Sequence, residues 1–269
     1  MESTQDRLAS AYRCALATLP SHWLDQSQKQ EAEFAHLSGL FLPGTSLEFE
    51  QAPTRIMVVG RETRRWDVIK PGHPFLDLDE YIQRAMGIQQ SHLAEYLGNK
   101  TDRGESFFNL LRKLRQADGN TGIAWANLFS FAWRRGSPMR WQNFEALKAV
   151  SKQLLEAQIS ILKPDIVIFA NGASSARIRQ EYFPHKGELN VCTDLGDYRE
   201  HGIPVNQLWR FRLFGSIQCY RIQHPSSVSS ASRAARGFLL NEILPHALTN
   251  LQRTTLDTKP SFEGLATAV

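Results

Sequence analysis

The chain has 269 residues, 42% of them apolar and 22% charged, with 31 Lys and Arg against 27 Asp and Glu for a formal charge of +4. That composition excludes a disordered or fibrous chain, suffices for one large core, and permits a polyanionic partner without demanding one. Cys14, Cys192 and Cys219 are scattered and form no C-x-x-C pair, which argues against a disulfide framework, a zinc site or an iron–sulfur cluster and predicts a reducing cytoplasm. The start Met1-Glu2-Ser3-Thr4-Gln5-Asp6 lacks the basic and apolar regions of a signal peptide, and no apolar run reaches bilayer length. The expectation is a soluble, cytoplasmic protein with no membrane partner.

In chain order, Leu8, Tyr12, Ala15 and Leu16 recur at helical spacing before Pro20, and a second helix is predicted from Gln26 to about Leu37. Gly39 to Pro53 reads as a loop. Arg55 to Val59 is a continuous apolar run of the kind buried on both faces of a sheet, and it ends at Gly60-Arg61-Glu62-Thr63-Arg64-Arg65-Trp66. From Trp66 to Gly104 runs a long polar insert, with helical spacing over Leu76 to Met86 and His92 to Leu97; a connection of this length could wall a larger, hydrogen-bonding cavity, and long irregular segments are often lids. Ser106 to Leu114 is an amphipathic helix, and Ile123 to Phe129 the next strand, leading into the basic turn Trp133-Arg134-Arg135-Gly136.

A helix over Asn143 to Leu162 precedes the strand Ile166 to Ala170, which ends at Asn171-Gly172-Ala173-Ser174-Ser175, followed by a helix over Ala176 to Tyr182. Lys186 to Val205 is rich in Gly and charge. Arg210 to Phe214 and Ser216 to Ile222 are late strands, the second ending at Gln223-His224-Pro225-Ser226-Ser227-Val228-Ser229, and a closing helix spans Ala231 to Leu248. The alternation predicts an α/β fold, a three-layer sandwich around a mostly parallel sheet of four or five strands. The expected organisation is a single domain over residues 1–253, with a helical extension at 1–53, a core at about 55–248 and a flexible tail at 254–269.

Four strand ends carry polar turns, at the edge where open α/β sheets hold their chemistry. Gly60-Arg61-Glu62, Asn127, Asn171-Gly172 and His224-Pro225-Ser226 together resemble, in order and spacing from Arg55 to Leu248, the motifs of the uracil-DNA glycosylase superfamily. That resemblance implies a uracil-DNA glycosylase-like sandwich that flips a nucleotide out of DNA and hydrolyses its N-glycosidic bond, leaving an abasic site with no cofactor or metal. Positive charge builds on the sugar and negative charge on the departing base, so a donor must face the base and another group must handle water. His224 suits the first role and Glu62 the second, where its carboxylate would also stabilise an oxocarbenium ion.

By the same resemblance Asn127 reads the edge of the flipped pyrimidine, and Phe75, Phe107 or Phe129 supplies an aromatic floor. Asn171 is expected to touch DNA, Ser226, Ser227 and Ser229 suit phosphate contacts, Val228 a wedge into the base stack, and Arg64, Arg65 and Arg233 a basic rim, with Arg134, Arg135 and Arg236 as further cations. The family's Pro-Tyr barrier is absent after Glu62, which opens the pocket at C5, and Arg61 brings five donors to its wall. A branch of the superfamily removes glucosylated hydroxymethylcytosine from phage DNA, and the departures here are compatible with it. The expectation is therefore a monomeric, monofunctional glycosylase for a bulky modified pyrimidine in anti-phage defence. The alternatives are repair of uracil or a deaminated base, and a catalytically silent DNA-binding relative. A Rossmann nucleotide-binding protein fares worse, because no strand ends in a glycine-rich phosphate loop.

Overall fold

The computed structural model describes residues 2–24, 34, 36–68, 77–102, 104–117, 119 and 121–257, with the backbone alone at 21 and 252–257. Its strands are β1 (Leu37–Leu40), β2 (Thr54–Gly60), β3 (Thr121–Asn127), β4 (Phe131–Trp133), β5 (Ile166–Phe169), β6 (Cys192–Gly196), β7 (Leu208–Leu213) and β8 (Ile217–Ile222). The helices are α1 (Thr4–Leu16), α2 (Leu47–Gln51), α3 (Leu78–Gly98), α4 (Ser106–Gln116), α5 (Phe144–Leu162), α6 (Ala176–Tyr182), α7 (Ser230–Phe238) and α8 (Leu244–Asp257).

Six strands form the central sheet in the order β3-β2-β5-β8-β7-β6. The first four run parallel, while β7 and β6 complete the edge as an antiparallel pair. Nearly every residue of β2, β3 and β5 is buried, so layers cover both faces of the sheet, as a parallel sheet requires. The chain steps from β2 outward to β3 and then returns past β2 to β5. Strand order therefore reverses between β2 and β5, and open α/β sheets form a crevice outside the carboxyl ends at such a point.

The sheet has one strand more than the four or five expected. The addition is β6, a short edge strand whose residues Thr193 to Leu195 are exposed. A sheet edge needs no apolar alternation, which is why the charged, glycine-rich 186–205 segment concealed it. The 1–53 segment is likewise more than a helical extension. It contributes β1 to a two-stranded antiparallel sheet with β4, and its Leu8, Tyr12 and Leu16 belong to the main core.

The predicted helix at Gln26 to Leu37 lies mostly outside the described residues, and its last residue is in β1. The two helical pieces foreseen in the 66–104 insert are one helix of 21 residues, α3, while residues 69–76 and 103 of the insert lie outside the described residues. The closing helix consists of α7, a π-helical turn at Leu239–Ile243, and α8, which continues to Asp257 into the stretch expected to be tail; residues 258–269 lie outside the described residues.

Candidate active site

A cavity of about 340 Å³ opens at the carboxyl ends of the parallel strands. Gly60, Arg61 and Glu62 reach it from β2, Trp125 and Asn127 from β3, and His224 from the end of β8. Residues separated by 162 positions in sequence, Glu62 and His224, thus share one small space.

Gly60 and Asn127 are partners in the parallel register of β2 and β3. A Cβ on Gly60 would stand 2.6 Å from Asn127 Oδ1, so only glycine allows this approach. The Asn127 side chain is buried, and its Oδ1 accepts from the indole Nε1–H of Trp125 at 3.3 Å. An indole N–H can only donate, so the amide oxygen must face Trp125 and the Nδ2 donors face away. Nδ2 has no protein partner, a buried donor left for something else to satisfy.

Glu62 has a side chain only 2% exposed, clasped by two arginines. Arg61 makes a two-pronged pair, Nε to Oε2 at 2.5 Å and Nη2 to Oε1 at 2.7 Å, and Arg64 Nη2 lies 3.2 Å from Oε1. The hydrogen bond to Glu62 raises the Arg61 pKa further above its ordinary value, so this guanidinium stays charged. Its remaining nitrogen, Nη1, reaches Ser174 Oγ at 3.4 Å, linking the ends of β2 and β5 across the point of strand reversal. The small β1–β4 sheet steadies this loop. Trp133 N–H donates to Thr63 O, Trp66 N–H donates to Ser38 Oγ, and Gly39, at φ 127°, leaves room for the Trp66 carbonyl.

His224 begins a tight turn closed by Ser227 N–H donating to its carbonyl at 2.8 Å. Its Nδ1 accepts from the backbone N–H of Ser226 at 3.2 Å and lies 2.7 Å from Ser226 Oγ. Because a backbone N–H can only donate, Nδ1 is the acceptor and the ring proton sits on Nε2. Burial lowers the His224 pKa, the Arg61 charge lowers it further, and Glu62 opposes them. The ring is therefore a neutral imidazole with one N–H to offer, and it lines the cavity.

The opposite wall is aromatic. His92 and Tyr96, one turn apart on α3, join Phe107 and Phe108 of α4, with Tyr96 stacked on Phe108 at 3.6 Å and Phe108 edge-on to Trp125 at 5.1 Å. Phe107 lies nearly parallel to His224 at 6.3 Å. Of the aromatic residues expected as a floor only Phe107 is in the wall; Trp66, His92, Tyr96, Phe108 and Trp125 join it without having been expected there. Trp125 was within reach, because two residues along a strand share a face with Asn127.

Other predicted residues lie elsewhere. Phe129 is fully buried against Phe144 and does not line the cavity; Phe75 lies outside the described residues. Asn171 is buried beneath the surface, 2% exposed, so its side chain offers no face to a phosphate. Arg64 and Arg65 line the cavity, whereas Arg233 and Arg236 line a neighbouring groove, and Arg134 pairs with Asp67 at 3.3 Å. Ser229 caps α7 by accepting from Ser232 N–H, and the hydroxyls of Ser227 and Ser229 both donate to Ser232 Oγ, which donates to Gln207. These serines shape the loop first. Val228 stands at its tip, 76% exposed.

Among the described residues no three His, Cys, Asp or Glu side chains converge as metal ligands, and no helix is long and apolar enough to cross a membrane. No family model matches this sequence, and no curated protein matches it.

Proposed function

We propose that the chain is a monofunctional DNA glycosylase of uracil-DNA glycosylase-like fold that hydrolyses the N-glycosidic bond of a flipped, modified pyrimidine. The observation that carries the reading is the single cavity in which His224, Asn127 and the Arg61–Glu62 pair meet beside an aromatic wall. Water adds its oxygen to C1′ of the deoxyribose, the C1′–N bond pair leaves with the base, and the water's proton ends on the base. His224 donates its Nε2–H to the base oxygen on which negative charge grows, a role that suits a neutral imidazole fixed in one tautomer. Asn127 donates Nδ2–H to an acceptor on the base edge. Glu62 faces the cationic sugar, and its guanidinium partners hold its carboxylate in place.

Among the described residues lining the cavity there is no lysine, the amine a lyase would use as nucleophile, so the product is an abasic site in an unbroken strand. The absence of a Pro-Tyr barrier and the breadth of the aromatic wall favour a base larger than uracil, with glucosylated hydroxymethylcytosine the leading candidate and anti-phage defence its setting.

One observation favours a second reading, a catalytically silent DNA-binding protein. Both Glu62 oxygens are engaged by arginine, which blunts a carboxylate meant to orient water. The variants Glu62→Gln and His224→Ala separate the two. A glycosylase loses roughly 10²–10³ in base release when the leaving-group donor is removed, while DNA binding persists. If both variants release base as the parent chain does, the catalytic assignment is wrong.

A further inference from the structure

A second groove, about 630 Å³ and so larger than the base cavity, runs between α4 and α7. It adjoins the candidate active site on both walls: Pro225 follows His224, and Ser106 precedes Phe107. Its cations come from two sides. Lys113 projects from α4, and Arg233 and Arg236 from α7. No carboxylate is among the described residues that line it.

Arg236 is held in place by both Nη atoms donating to the Ser227 carbonyl at 3.2 Å, a neutral partner that leaves its charge unbalanced. Its pKa is lowered, first by burial and then by the Arg233 charge beside it. Two like charges set one turn apart, with a third facing them, form a site whose complement is a polyanion. With a chain charge of only +4, this concentration is local.

We infer that this groove carries the phosphodiester backbone of the DNA strand that bears the flipped base. The inference rests on the glycosylase reading, because that reading places DNA at His224. The strand enters beside Arg64 and Arg65, passes over the cavity at the Val228 tip, and leaves past Pro225 between Lys113 and Arg233. The protein therefore grips the strand further beyond the target nucleotide on the groove side than on the side of Arg64 and Arg65, and the grip is electrostatic and independent of sequence.

The test measures binding of the full chain to single-site DNAs trimmed by one nucleotide at a time from either end, with the parent chain and the double variant Lys113→Glu, Arg233→Glu. Thermal unfolding confirms that the variant is folded. For the parent chain, trimming one flank weakens binding about tenfold, while trimming the other has a smaller effect. The double variant binds full-length DNA no better than one-side-trimmed DNA, and its salt dependence drops by the slope of about two phosphate contacts. Equal weakening on long and trimmed DNA, or none, would overturn the strand path while leaving the base cavity intact. Absence of salt-dependent DNA binding by the parent chain would instead overturn the underlying reading.

Discussion

Gly60 faces Asn127 across two parallel strands, and the 2.6 Å available to a Cβ makes glycine a condition of the site. Gly60→Ala must therefore displace the asparagine amide or part the strands. We expect a loss of about 1–3 kcal/mol in unfolding free energy, read by denaturant titration, together with loss of base release. Asn127→Asp poses a different question, because it replaces the free Nδ2 donor by an acceptor without changing size. Base release is expected to fall at least tenfold with little change in affinity for unmodified DNA; an unaltered rate would remove Asn127 from base reading.

His224 makes a prediction about pH. Its folded pKa lies below the ordinary imidazole value, so the unfolded chain takes up a proton first as pH falls. Stability is full above the ordinary value and declines as pH drops through it towards the lower folded pKa. His224→Gln removes that contribution. The melting temperature of the parent chain should fall more steeply than that of the variant between about pH 7.5 and about pH 5.5, and parallel curves would show that His224 is not held neutral.

At the scale of elements, the aromatic wall depends on one buried arginine. Arg112 of α4 donates to the Tyr96 carbonyl at the end of α3 and pairs with Glu105 at 2.9 Å, so it locks the two helices that present Tyr96, Phe107 and Phe108. Arg112→Met retains bulk but leaves that carbonyl and carboxylate without this donor. A loss of about 1–3 kcal/mol is expected, and altered base preference should accompany it if the wall selects substrate. On the other side, Ser229 caps α7 and belongs to the serine cluster that shapes the His224 loop. Ser229→Ala should cost about 1 kcal/mol, measured by denaturant titration.

These elements also mark what the sequence could and could not reveal. The apolar runs of β2 and β5 were legible because a strand buried on both faces is apolar throughout, and the turn of Glu62 followed from the first, as the turn of His224 followed from the alternating run of β8. The wall was not legible. His92 and Tyr96 sit on a helix whose pattern is interrupted by Gly87, and nothing in their spacing says that it packs beside Phe108. Phe129 and Asn171 misled for the opposite reason: each lies two residues beyond the end of its strand, where the pleat no longer sets the direction of a side chain and burial decides. The two-pronged Arg61–Glu62 pair was not legible either, because the sequence places the two residues side by side without saying that both side chains turn to the same cavity.

For the whole molecule, two groups of cations among the described residues stand at adjoining concavities, Arg64 and Arg65 at the cavity and Lys113, Arg233 and Arg236 at the groove beside it. That arrangement suits a strand laid across the carboxyl edge of the sheet, with the base turned inward between an aromatic wall and a neutral histidine. The two arginines that position Glu62 also compete for its oxygens as acceptors. The central claim is tested most directly by incubating the protein with DNA containing uracil, hydroxymethylcytosine or glucosylated hydroxymethylcytosine and identifying any released base by mass spectrometry. The account predicts a free modified base, more of it from the glucosylated substrate than from uracil, and a strand that breaks only after heat or alkali. No free base from any of the three, with DNA binding intact, would contradict it.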